Sequence, residues 1–339
     1  MQRRWNCSLS VAPAERVRVL ISYHYFRDTR VNNLFERLTI GERLPDIFAD
    51  SGAFSAWTQG AEVNLDEYAT WLHKWKDYFS VYCNLDVIDD PVATQENQAA
   101  LESMGLGPLP VWHVRSDRQV FLDLCDRYSY VALGGMVGTH WKRLMPSLIW
   151  AMKESRERNT VLHGLGLTSV HPLRTLPFFS VDSSSWGSGF RYGQVSVWDT
   201  KKTEMLRLRL GNKKHWTKHS QAVKRLGFTP KRFITREATR EEVAAISALS
   251  TMYQEQAVRK RLGIVSLPPG KLPYTSFGDT DGVKVFMADG GAGANGAPNL
   301  EAATGDKETG GLRLYLADVG MKDVSMAVNY LEEQKEKLP

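Results

Sequence analysis

From Val17 to about Thr200 the chain alternates short apolar runs of β-forming residues with stretches of helical period. The apolar runs are VRVLISY, PDIFAD, VYCNLDVI, LPVWHV, YVALGG, TVLHGLGL, PFFSVDSSSW and YGQVSVWDT. Between them lie stretches such as NLDEYATWLHKWKDYF, where Leu65, Tyr68, Leu72, Trp75 and Phe79 fall at helical spacing. Asn64 stands there as N-cap, with Asp66 and Glu67 in the first turn. PVATQENQAALESMG opens on Pro and closes on Gly105, as a helix should. Strands that alternate with helices imply a parallel sheet with helices outside it. Seven or eight such units predict an α/β fold of the (β/α)8 TIM-barrel type. A doubly wound open sheet is the alternative. Neither G-x-G-x-x-G nor a Walker loop follows the first strand, so nothing supports the nucleotide-binding version of that sheet.

The rhythm stops near Thr200, and there the charge changes. Between residues 201 and 236 stand 12 Lys or Arg and one Glu, a local balance of +11 in a chain whose total is +5. The expected organisation is a barrel core over 1–200 and a basic, largely helical nucleic-acid-binding segment over 201–264. A flexible Gly-rich loop over 265–311 and a closing strand and helix over 312–339 follow. Lys213, Lys214, Lys218, Lys224 and Arg225 are expected to contact phosphates, with His215, Trp216 and His219 interleaved. The bland alternative is a solvated basic helix. TREEVAAISALSTMYQEQAVRKRLG reads as a strong helix, with a Thr239–Glu242 capping box and Gly263 at its end.

The three cysteines, Cys7, Cys83 and Cys125, have neither metal-ligand nor redox spacing, which points to a reducing compartment without structural disulfides. The basic N-terminus is broken by Pro13 and Glu15 and does not read as a signal peptide, and no apolar run approaches membrane-spanning length. A soluble cytoplasmic protein, with no membrane partner, is expected. Oligomeric state leaves no mark on the sequence.

In a parallel barrel the chemistry sits at the C-terminal ends of the strands. Those ends read His24, Asp50, Asp86, His113, Gly134–Gly135, His163 and Asp182. Each has an ordinary explanation. A histidine at a strand end is commonly a hydrogen-bonded rim residue, Asp50-Ser51-Gly52 could be a turn, Asp86 could cap a helix, and Asp182 could cap the Ser-rich turn that follows it. Three aspartates converging on one mouth are harder to dismiss, because like charges repel unless they have separate tasks.

At these residues the chain resembles a family. DSGAF (Asp50–Phe54) resembles the D-S-G-G-F motif of the tRNA-guanine transglycosylases, and ALGGM (Ala132–Met136) their G-G-L segment. HGLGLTS resembles their M-G-V-G-T-P strand, and VDSSSWGSGFRYG their F-D-C-V-L-P-T-R-N-A-R-H-G, including the late Arg191 and Gly193. The four motifs keep their order from about Asp46 to Gly193. The chain looks closer still to the phage-type 7-deazaguanine DNA transglycosylases of that superfamily.

The resemblance implies that Asp182 is the nucleophile at the sugar C1′ and Asp50 the acid/base near N9 of the base. It implies that Asp86 reads the base edge, and that Gly134, Gly135 and Met136 form the pocket wall. Ser51, Phe54 and Arg191 are carried over as substrate-binding residues, and His113 stands roughly where the family has a base-contacting Gln. The expected partners are DNA and a free 7-deazaguanine base (preQ0-like), with no metal or organic cofactor. The tRNA enzymes carry a C-x-C-x-x-C…H zinc site after the barrel. No Cys follows Cys125 here, which favours DNA over tRNA as substrate.

Elementary chemistry agrees. Exchange at C1′ passes through an oxocarbenium-like state, with one carboxylate attacking and a second moving the base proton. A carboxylate accepts from two adjacent N–H donors on a guanine-like edge, and the base must leave the duplex to reach a pocket. The rival readings are a metal-dependent hydrolase using His24, Asp50, His113, His163 and Asp182, and a non-catalytic modified-base or nucleic-acid-binding protein.

Overall fold

The computed structural model describes residues 18–38, 45–167, 169–187, 189 and 192–262, and the backbone of 284–286. It is a mixed α/β structure built on parallel sheets. β1 (Arg18–Ser22), β2 (Asp46–Asp50) and β3 (Val81–Tyr82) form one parallel sheet, and a parallel bridge from Cys83 to Leu109 continues it. β4 (Val111–His113), β5 (Tyr130–Gly134), β6 (Val161–Gly164) and β7 (Ser180–Asp182) form the second, again all parallel. β1 and β5 are buried along their whole length. Parallel strands are covered on both faces, which is why they read as unbroken apolar runs.

The helices between them begin where side chains cap them. The carboxamide of Asn64 accepts from the Glu67 N–H at 3.0 Å, and Asp90 accepts from Val92 and Ala93 ahead of Pro91. Register fixes the site: Ser22 lies level with Asp50, His113 with Gly134, and Gly164 with Val181. The C-terminal ends of the strands therefore face one edge.

Three expectations are corrected beyond β7. YGQVSVWDT does not add a parallel strand. β8 (Gln194–Asp199) turns back into β9 (Glu204–Arg209) as an antiparallel hairpin. Asp199 Oδ1 holds that turn by accepting from the Lys201 and Lys202 N–H groups. The segment 201–264 is largely helical, as expected, but it opens on a strand that was not: Leu206 and Leu208 alternate with Arg207 and Arg209, a strand period that the count of basic residues obscured. Third, β10 (Lys284–Phe286) pairs parallel with β7 inside the stretch expected to be loop. The rest of 265–311, Gly263, and the strand and helix expected over 312–339 lie outside the described residues.

No break in the core falls at residue 200. Val19 and Ile21 belong to the same apolar cluster as Trp216, Val223, Phe233 and Ile246. The capping box is present, with Glu242 accepting from the Thr239 N–H at 2.8 Å and Thr239 Oγ1 from the Glu242 N–H at 3.3 Å. The helix that follows (Arg240–Leu262) is buried along most of its length. Small residues, Ala244, Ala245, Ser247 and Ala248, let it approach closely, and Ser250 Oγ accepts from the Trp198 N–H at 2.9 Å. Among the described residues no helix is long and apolar enough to cross a membrane.

Candidate active site

The C-terminal ends of the parallel strands open into a cleft of about 800 Å³ whose wall includes Asp50, Asp86, His113, Gly134, Met136 and Asp182. Of the residues expected at successive strand ends, Asp50, Asp86, His113, Gly134, Gly135 and Asp182 line this one cavity, and His24 and His163 do not.

Asp50 ends β2 and leads straight into a tight turn. Its Oδ2 accepts from the Gly52 N–H at 2.9 Å. Gly52 has φ +75°, and a Cβ there would lie 2.0 Å from Ser22 Oγ and 2.7 Å from His24 Cβ, so only glycine fits. That packing is the reason for the Asp-Ser-Gly sequence. Burial, then the negative charge of Asp86 and more weakly that of Asp182, pushes the Asp50 carboxyl up to about 7, against the Gly52 hydrogen bond that favours the anion. Asp86 lies beyond β3, with Oδ2 3.3 Å from His113 Nε2. The His113 ring lies across the end of β5: a Cβ on Gly134 would come within 2.8 Å of its Cδ2.

Asp182 ends β7 and is 4 % exposed. Its Oδ1 accepts from the Gly166 N–H at 2.6 Å and lies 3.2 Å from His163 Nε2. Oδ2 has no hydrogen-bond partner among the described residues. Behind Asp182 runs a buried polar chain. His163 Nδ1 lies 2.6 Å from Ser180 Oγ, which in turn contacts the Tyr130 hydroxyl. Burial holds the His163 pKa below its ordinary value, so the ring is neutral near pH 7, while burial pushes the Tyr130 phenol well up and keeps its proton. A carboxylate only accepts, so the single imidazole proton sits on Nε2 facing Asp182. Ser180 then donates to Nδ1 and Tyr130 donates to Ser180. Every donor along the chain points toward Asp182, which orients its carboxylate. The turn after β7 is held by Ser183, whose Oγ accepts from the Ser185 N–H at 3.0 Å, and not by an aspartate cap.

The other expected site residues divide. Gly135 and Phe54 line the cleft, with Phe54 exposed at its rim beside the exposed Trp57. Ser51 is fully buried, accepts from the Ala53 N–H, and does not line the cleft, because the turn faces it inward. Arg191 lies outside the described residues. His24 sits in a short helix (Tyr23–Phe26) after β1, with its Nε2 3.3 Å from Gln59 Oε1.

Lys213, Lys214, Lys218 and Lys224 are exposed, and none lines the cleft. Arg225 is half-buried, with its guanidinium 2.7 Å from Asp199 Oδ1 and bonded to Thr200 Oγ1, so its charge is already matched. Trp216 is not a stacking surface. It is buried against Phe233 at 4.4 Å, with Nε1 donating to the Arg209 carbonyl. Among the described residues the Arg and Lys side chains that line the cleft are Arg115 and Arg207, which carried no sequence signal beyond the period of β9 for the second. Among the described residues no group of three or more His, Cys, Asp and Glu is arranged to hold a metal ion. No protein-family model matches the chain, and no match is found among curated proteins.

Proposed function

We propose that the protein is a DNA-guanine transglycosylase that exchanges guanine for a 7-deazaguanine base through a covalent aspartyl-glycosyl intermediate. The fold proposed with it is a (β/α)8 barrel. β1 to β7 run parallel through the Cys83–Leu109 bridge, and β10 pairs with β7 and comes within 8 Å (Cα–Cα) of β1, so that β10 is the eighth stave and the hairpin and helices of 194–262 are an insertion before it.

The observation that carries the reading is the contrast between two carboxyls in one cleft. Asp182 has its Oδ1 fixed by Gly166 and His163 and its Oδ2 free, the geometry of a positioned nucleophile. Asp50, pushed up to about 7, can both hold and release a proton at neutral pH, the property of a general acid/base. In the first half-reaction an Asp182 oxygen bonds to C1′, the C1′–N9 bond breaks, and the departing guanine takes the Asp50 proton. In the second half the incoming base returns its N9 proton to Asp50 and attacks C1′, and the Asp182 ester bond breaks. Two displacements give net retention. Asp86, with His113 beside it, accepts from the N–H groups of the guanine edge.

The test is exchange itself. DNA carrying labelled guanine, incubated with the protein and an excess of a 7-deazaguanine, should release label and gain the deazanucleoside, as read by mass spectrometry of the digested DNA. A parallel tRNA arm should show none. Release from neither substrate contradicts the reading, and release from tRNA alone reassigns the substrate.

A further inference from the structure

A second, smaller chamber of about 300 Å³ adjoins the cleft, and Leu167, Ser169, Ser185 and Arg207 line both. Its wall holds polar groups with no partner among the described residues. Gln254, 6 % exposed, lines the chamber from the long buried helix with its carboxamide unpaired. Ser196, 3 % exposed, lines it from β8 with its hydroxyl unpaired. Arg207, exposed on β9, has no ion pair among the described residues. Buried amides and hydroxyls are ordinarily bonded, and a strand of this hairpin has carboxylates within reach elsewhere: Arg225 takes Asp199. A guanidinium, a carboxamide donor and serine hydroxyls converging on an open chamber form a donor set, with no carboxylate among the chamber's lining residues. A guanidinium beside groups that can each turn a donor inward, with no carboxylate to repel an anion, fits an oxyanion carrying several acceptor oxygens.

We infer that this chamber binds a phosphate group of the nucleic acid, the one adjoining the nucleotide whose base enters the cleft. The inference rests on the exchange reading for its substrate. The chamber also lies where Ser183 and Ser185 follow Asp182 directly in the chain, so a sugar held at Asp182 sets its phosphate next to them. Clamping the phosphate would place C1′ against the free Oδ2 and would supply the binding that the exposed lysines of 213–224, away from the cleft, do not direct.

Calorimetry on the whole protein tests it with four probes: deoxyguanosine, its 5′- and 3′-monophosphates, and inorganic phosphate. In the wild type one monophosphate should bind at least about tenfold tighter than the nucleoside. That increment should collapse toward one in Arg207→Ala, fall in Gln254→Ala, and return in part in Arg207→Lys. Binding of free 7-deazaguanine to each variant reports an intact fold and base site. An increment that survives in both alanine variants overturns the assignment, as does no binding of either monophosphate to the wild type. Inorganic phosphate binding as tightly as the nucleotides makes this a free-anion site and overturns the backbone assignment. If 7-deazaguanine fails to bind the wild type while a monophosphate binds through Arg207, the exchange reading falls and the phosphate site stands.

Discussion

Strand β2 begins and ends on aspartate, and the two ends have opposite surroundings. At its start Asp46 is buried and paired: Arg18 Nε donates to Oδ2 at 3.0 Å, and Ser80 donates to Oδ1. Arg18 also reaches Glu255 at 3.3 Å, and Glu255 takes Arg259 at 3.5 Å, which ties β1 and β2 to the long helix Arg240–Leu262. At its finish Asp50 faces two further carboxylates, and among the described residues no Lys or Arg pairs with Asp50, Asp86 or Asp182. Three residues separate a carboxylate that helps hold the fold from one whose ionisation works against it. Buried charges are tolerated where they are matched; where they are left unmatched, the pKa moves instead. The paired end of the strand ties the fold together, and the unpaired end is the one to which the proposed exchange assigns proton transfer.

The comparison breaks most visibly at the paired end. Asp46→Ala leaves Arg18 short of a partner in the interior and should cost about 3–5 kcal/mol of stability in denaturant melts. A loss under about 1 kcal/mol would mean that the pair is solvated and the contrast false. At the other end the sign reverses. The Asp50 pKa is raised from 3.8 to about 7, so between those values the folded chain holds more protons than the unfolded chain, and stability falls as pH rises through that window. Asp50→Asn should therefore stabilise the protein above pH 7 by on the order of 2 kcal/mol, with the gain gone by about pH 4, while turnover is lost. Melts of both proteins across pH check this, and a gain independent of pH would assign the effect to packing.

Asp86→Asn turns one acceptor toward the base into a donor. It should weaken binding of free 7-deazaguanine by about 1–3 kcal/mol in calorimetry and leave DNA affinity in place. Equal loss of both would point to a disturbed fold. The smallest effect is expected from Lys213→Glu with Lys214→Glu. These exposed side chains should lower DNA affinity modestly and flatten its salt dependence, without changing exchange at saturating DNA. An unchanged salt slope would place the DNA path elsewhere.

What was legible in the sequence follows from which forces are local. The strands β1 to β7 could be read because parallel strands buried on both faces leave unbroken apolar runs, and Asp50 and Asp182 stand where two of those runs stop. Caps were legible for the same reason: Asn64 and the Thr239–Glu242 box are satisfied within three residues. What depends on distant partners was hidden. β8 has the composition of a parallel strand, and only its pairing with β9 distinguishes it. Trp216 looked like an aromatic among lysines until Phe233 stacked on it, and Arg225 looked like a free cation until Asp199 matched it. Gln254 carries no local signal at all. It sits in a helix with helix-forming neighbours, and only the chamber in front of it makes its amide conspicuous. The polar members of the chain behind Asp182, Ser180 and Tyr130, were visible as letters inside apolar runs, but nothing local assigned them partners.

The central claim is that Asp182 attacks the sugar. DNA containing guanine, incubated with the protein and quenched in denaturant before a competing base is added, should leave a covalent protein–DNA species. Peptide mapping by mass spectrometry should place the deoxyribosyl group on Asp182. The species should disappear on addition of a 7-deazaguanine, and Asp182→Asn should form none while retaining DNA affinity. Undiminished adduct or exchange in Asp182→Asn, or an adduct mapped to Asp50, would contradict the account.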